Sequence, residues 1–208
     1  MSSRLKTDKK RLMDFSRIEK FHPYKTFLFF ALLGSTVVFM TVTFLYLTSL
    51  SKTLPLVNFK LPKPFFLSSL LLLFSSYAIS KSVAAFREDA MKKLLLSFAV
   101  TLLLGLAFSL SQIYGWKKLI DSGFMLQTQS RISYLYIISG IHFLHVVAGL
   151  IVLLVMTISA YLKSKDPVKS LLYFSSEYQL TKIELAVIFW HFVDFLWLGL
   201  FLIFLFTF

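Results

Sequence analysis

Five apolar runs, set apart by short basic segments, dominate this chain of 208 residues. No charged residue occurs between Lys25 and Lys52, Lys63 and Lys81, Lys93 and Lys117, or Arg131 and Lys163, and a fifth run extends from near Lys182 to Phe208. An apolar stretch of about 18 residues or more is long enough to cross hydrocarbon as a helix. The second run holds only 17 uncharged residues and is expected to continue to about Phe86, with Lys81 reaching back to the headgroups. Strands of a membrane barrel would be about ten residues long and alternate in polarity, unlike these uniform runs. The expectation is an all-α integral membrane protein, a five-transmembrane-helix bundle spanning about 26–50, 65–86, 94–116, 131–162 and 182–207.

Composition agrees: only 15% of residues are charged, against about 25% in a soluble domain. The net charge of +12 suggests nucleic acid at first sight. Its distribution argues against that partner, because the cations lie between the apolar runs. The segments at 1–25, 81–93 and 163–182 hold 8, 4 and 4 of the 22 Lys and Arg, so 16 lie on one side. The positive-inside rule then places the N-terminus, with a basic tail at 1–25, in the cytoplasm, and five spans put the C-terminus outside. No cysteine is present, which excludes disulfides and thiolate-bound metals. The first 25 residues lack the apolar core of a cleavable signal.

The 51–64 hairpin is broken by Pro55, Pro62 and Pro64, and the polar 163–182 loop contains Pro167. The fourth run, 31 uncharged residues, would make about 47 Å of helix. Hydrocarbon is about 30 Å thick, so that helix must tilt or project. No internal repeat of the kind that marks secondary transporters is visible.

Ionisable residues inside spans are costly and call for a partner. Here they are His142, His145, Glu184, His191 and Asp194. At 100° per residue, Glu184, His191 and Asp194 share an arc of roughly 80°, flanked by Trp190 and Trp197. That face is expected to meet protein. His142, His145 and Gly149 share a face of the fourth helix, where Gly149 would admit another backbone closely. Three histidines and two carboxylates suit a transition metal by type. Their depths, roughly 13 Å for His191 and 27 Å for His145 from the lysines at the helix ends, count against one site. The plainer expectation is hydrogen bonding across helices. His191 and Asp194, three apart, would satisfy each other. Glu184 either closes a capping box with Thr181, in "TKIE", or joins a proton or hydrogen-bond network. Thr36 and the serines of "SSYAIS" read as packing or back-bonded hydroxyls, and Gly105 with Ser109 as a small-residue contact.

The segment "GIHFLHVVAGL", followed by "E-x6-HFVDFLWLGLF", resembles subunit III of the haem-copper cytochrome c oxidases. Gly140, His142, His145, Val146 and Gly149 match that family's penultimate helix. Glu184, Trp190, His191, Phe192, Val193, Asp194 and Trp197 match its last helix. "FREDAMKKLLL" is similar to its basic loop, and weaker similarity reaches back to about Phe27. Longer members have seven helices, so the resemblance is to the short five-helix bacterial form. Many members carry a buried glutamate where this chain has Thr36, so no role of that glutamate transfers.

The resemblance implies a non-catalytic subunit of a proton-pumping oxidase in aerobic respiration, without a redox centre of its own. Haems and copper would belong to partner subunits I and II. The chain would stabilise subunit I, support proton uptake and contact phospholipids, with a subunit IV or a larger supercomplex as further partners. Trp190, Trp197, Gly140 and Gly149 become packing, lipid or subunit contacts, and the five ionisable residues buried structure or a proton network. The bacterial cytoplasmic membrane is expected ahead of the mitochondrial inner membrane. An accessory chain of a quinol oxidase or nitric oxide reductase is the alternative, followed by a small proton-coupled transporter using Glu184, His191 and Asp194.

Overall fold

The computed structural model describes residues 23–50, 63–126 and 130–207. These form α1 (Pro23–Leu50), α2 (Lys63–Arg87), α3 (Met91–Asp121), α4 (Ser130–Ser164), the short α5 (Pro167–Phe174) and α6 (Glu177–Thr207). All but α5 are long and apolar enough to cross a membrane, matching the five runs with ends a few residues longer. The basic tail to residue 22 and the proline-rich hairpin at 51–62 lie outside the described residues.

The chain forms two compact units, Met1–Val37 and Val38–Phe208, with α1 passing through the boundary. In the first unit the described residues are helical, and Thr36 Oγ1 donates back to Leu32 O at 2.8 Å. In the second, the rest of α1 is held through single side chains. Tyr46 lies edge-on to Tyr134 of α4 and Phe204 of α6, and its hydroxyl hydrogen-bonds Thr207. Arg131 caps the end of α1 by donating to Leu50 O at 2.7 Å.

The closest pairing is the hairpin of α2 and α3. Its turn needs one left-handed residue, supplied by Asp89 at φ 52°, which an aspartate tolerates better than most non-glycine residues. The Ala90 amide then bonds Ala85 O at 2.9 Å, so the reversal satisfies carbonyls that the helix end would leave open. Further along, Ser97 donates to Ala78 O at 2.6 Å and Ser111 to Pro64 O at 2.9 Å, tying the two backbones directly.

The loop expected around Pro167 contains a helix. Asp166 accepts from the amides of Val168 and Lys169 at 3.0 and 3.4 Å, and Pro167 occupies the first turn, where a missing N–H costs nothing. Those amides hold the Asp166 carboxyl below its ordinary range. Tyr173 of α5 packs edge-on to Phe86 at the end of α2, and burial pushes its phenol up to about 12. The start expected at Lys182 is also corrected, because α6 begins at Glu177. Thr181 is therefore a turn inside the helix, where its backbone follows the helical ladder and no capping box can form.

The core centres on Trp190, which is 2% exposed. Its ring fills a slot left by two glycines: a Cβ on Gly105 of α3 would lie 3.0 Å from Trp190 Cη2, and one on Gly149 of α4 would lie 3.0 Å from Cζ3. Gly149 thus admits an aromatic side chain, where a backbone was expected. Gly140 has open space around it, with nothing within 4 Å, so it makes no such approach.

Gly105→Ala would also set its methyl 2.8 Å from Leu150 Cδ2, and overpacking of this kind costs about 1–3 kcal/mol. Gly34→Ala meets nothing within 4 Å and should be neutral or slightly stabilising, since alanine is the better helix former. Unfolding of both variants in mixed micelles checks the contrast. Asp166→Ala should speed amide exchange at Val168 and Lys169 about fivefold at neutral pH. The cap acts with the carboxyl ionised, so its contribution is present above the ordinary aspartate range and is lost as pH falls through the lowered value. Equal exchange in wild type and variant at pH 7 would remove the cap from the account.

Candidate functional site

The polar residues of α6 face α2, and a ladder joins the two helices. Trp197 Nε1 donates to Ser69 Oγ at 3.0 Å, and Trp190 Nε1 to Ser75 Oγ at 3.0 Å. His191 Nδ1 lies 2.7 Å from Ser76 Oγ and Nε2 3.2 Å from Ser80 Oγ. At the end of the row, Arg87 Nη2 donates to Glu184 Oε1 at 3.4 Å. Residue numbers rise along α2 as they fall along α6, as antiparallel neighbours require.

The tautomer of His191 follows from a count of protons. Ser80 spends its single O–H on Ser76 O at 2.8 Å, so its Oγ accepts from His191 Nε2–H. In the neutral ring Nδ1 then accepts from the Ser76 hydroxyl. Ser76 also faces Asp194, but its one proton is committed to the imidazole. Asp194 is 4% exposed, and neither carboxyl oxygen has a hydrogen-bond partner among the described residues. The expected His191–Asp194 pair is absent from these contacts; the serines of α2 take the imidazole. A proton on Asp194 would extend the row through Ser76 and His191 to Ser80, a chain in which Ser76, His191 and Ser80 each both donate and accept.

His142 departs from the expected interhelical hydrogen bonds. His142 is 1% exposed, and its ring nitrogens have no hydrogen-bond partner among the described residues. Its ring lies 5.0 Å from that of Trp197 and edge-on to Phe108 at 5.7 Å. His145 Nδ1 bonds its own helix at Ile141 O, 2.8 Å away, and its ring meets Phe39 of α1 at 5.5 Å. Among the described residues, no three of His, Asp and Glu come together in a way that could hold a metal ion.

Several participants escaped the sequence reading. Gln112 Nε2 donates to Ser68 Oγ at 2.9 Å, and Trp116 Nε1 to Ser139 Oγ at 3.1 Å. The serines of "SSYAIS" read as packing or back-bonded hydroxyls, and Ser80 is back-bonded to Ser76 O, yet Ser75, Ser76 and Ser80, with Ser69 earlier on the same helix, also supply the partners of α6. One signal was available: Trp190 and Trp197 are seven residues apart, and the pairs Ser68–Ser69 and Ser75–Ser76 repeat at the same interval. Two helices with matched seven-residue polar repeats can pair along one seam.

A family model described as cytochrome c oxidase subunit III matches residues 20–207. Cytochrome c oxidase subunit 3 of Bacillus sp. (strain PS3) is 30% identical over 172 residues, 81% of this chain and 78% of that protein. That of Synechocystis sp. is 32% identical over 139 residues, 65% of this chain and 53% of its own length. The probable cytochrome c oxidase subunit 3 of Mycobacterium bovis is 29% identical over 133 residues, 64% of this chain and 61% of that protein. The chain thus spans about three-fifths of the mycobacterial relative and half of the cyanobacterial one. Because the family match takes in all six helices and with them the whole α2–α6 ladder, the chain belongs to the cytochrome c oxidase subunit III family.

Proposed function

We propose that this chain is the accessory subunit III of a bacterial cytochrome c oxidase. It lies in the cytoplasmic membrane with its N-terminus inside and its C-terminus outside. It supports proton uptake by a catalytic subunit I and carries no redox centre of its own; haems and copper belong to subunits I and II. The observation that carries the reading is the family match across residues 20–207. The geometry agrees with an accessory role. The side chains that would attract notice as ligands are engaged by other residues of the chain: His191 by two serines, His142 by an aromatic box, and Glu184 by Arg87 at the open end of the ladder. Such a scaffold offers a rigid surface to a neighbour. The charge asymmetry supports the orientation, and the row that runs from the buried Asp194 to the exposed Ser80 is the element suited to holding a proton.

Purification through a tag on the N-terminus in mild detergent, followed by a reduced-minus-oxidised spectrum, tests the assignment. An a-type haem band with large multi-helix partners is the expected result. A b- or o-type signal alone would transfer the chain to a quinol oxidase or nitric oxide reductase, and a colourless solitary protein would overturn the oxidase reading.

The Arg87–Glu184 pair sits at the end of the ladder, with the two side chains 65% and 25% exposed. Pairs as open as this contribute little to stability. Glu184→Gln should therefore leave the initial turnover of the purified complex nearly intact while shortening its lifetime during turnover or lowering its assembly. A complex of normal composition that loses proton pumping at once would make Glu184 a proton carrier instead.

A further inference from the structure

Between the start of α2 and the end of α3 lies a pocket of about 370 Å³ lined by Lys63, Pro64, Leu67, Ser111, Tyr114 and Lys118. Two of its six residues are cations, although the helix faces around it are apolar. Lys118 Nζ stands 5.0 Å from the centre of the Tyr114 ring, which holds the ammonium at the rim. Ser111 closes the floor by donating to Pro64 O. Among the described residues neither lysine has a carboxylate within ion-pair distance, including Asp121, one turn beyond Lys118.

From the pocket an apolar track leads towards the middle of the spans. Leu67 and Tyr114 are about half exposed, at 56% and 54%. One turn deeper on the same helix faces, Leu70 and Leu110 are exposed as well. A polar pocket opening onto an exposed apolar track matches a ligand with an anionic head and a hydrocarbon tail. A free anion would gain nothing from Pro64, Leu67 or the leucines beyond.

We propose that this pocket binds an anionic phospholipid, its phosphate between Lys63 and Lys118 and one acyl chain along Leu67, Leu70 and Leu110. The site requires only that the chain span a membrane, so it stands apart from the assignment to an oxidase. The head lies at the interface, where surface cations attract acidic lipids, and the tail replaces bulk lipid against the helices.

The test uses the full chain in nanodiscs of equal phosphatidylglycerol and phosphatidylcholine, with retained lipid read by native mass spectrometry. Lys63→Gln with Lys118→Gln should lose about one tightly held phosphatidylglycerol, with retention falling about 30-fold, or roughly fivefold per lysine. Lys63→Arg with Lys118→Arg should restore it. Lys165→Gln with Lys182→Gln removes the same charge from lysines that also stack on tyrosines, at 4.8 and 4.3 Å, and should leave that lipid bound. Equal phosphatidylglycerol retention in the wild type and the Lys63/Lys118 glutamine variant would overturn the site. So would a parallel loss of phosphatidylcholine, which would mean that charge is not being read. Displacement by inorganic phosphate at millimolar concentration would make the ligand a free anion and refute the lipid.

Discussion

Two tryptophans on one helix face hold this bundle together. Trp190 and Trp197 stand two turns apart on α6, and each does the same two things. Its indole N–H donates to a serine of α2, and its ring reaches past that helix to α3 and α4. Inside a membrane, helices gain no hydrophobic free energy by leaving lipid for each other, so association rests on close packing and on polar groups that find partners. An indole supplies both, with a large flat surface and a single donor that must be satisfied. The glycines at 105 and 149 make sense only beside it, because the space they leave is the space the Trp190 ring occupies. Phe65 repeats the arrangement at the other end, stacked on Trp197 at 6.0 Å and pressed against Gly115.

Serine is well suited to the opposite side of this seam. A serine in a helix can return its proton to a carbonyl a turn earlier and still accept from a neighbour through its free lone pairs. Ser69 does so, donating to Phe65 O at 3.0 Å while accepting from Trp197. Ser80 does so with Ser76 O and His191. The row therefore needs no charge to satisfy the indoles and the imidazole, and the cost of carrying ions into hydrocarbon is avoided along most of its length. Asp194 is the exception. Its carboxyl is as buried as the tryptophans yet draws no donor from the described residues, because the hydroxyl that faces it already serves His191.

Much of the fold was legible because its signals are one-dimensional. Uninterrupted apolar runs between lysines give five spans to within a few residues, whatever their packing. The polar arc on α6 was legible for the same reason, since helical periodicity alone places Glu184, His191 and Asp194 on one side. What failed was the assignment of partners. His191 and Asp194 are close in sequence and were paired on that ground, but the ring turns across to another helix, where two hydroxyls fit both of its nitrogens. The capping pattern at Thr181 was locally sound and lost to five more residues of helix, Glu177 to Thr181, for which the aspartate-capped α5 and a two-residue break leave room. A serine reads as neutral in any single-helix argument, and only the matched seven-residue repeat on a second helix turns it into an acceptor.

On the proposed function, the same arrangement bears on how such a chain could work beside a catalytic neighbour. Most of its polar row lies between α2 and α6, and apart from Ser80 and the Arg87–Glu184 end its described outward surfaces within the spans are chiefly apolar. A partner docked on those faces would meet shape rather than charge, and the binding of the two would depend on the bundle keeping that shape. Rigidity is then a functional property, and the groups that supply it are the ones furthest from the surface. A change at Trp190, Gly105 or Ser75 would be felt by a neighbour through a shifted helix face, without any of the three touching it, because a close-packed interior transmits a displacement and does not absorb it.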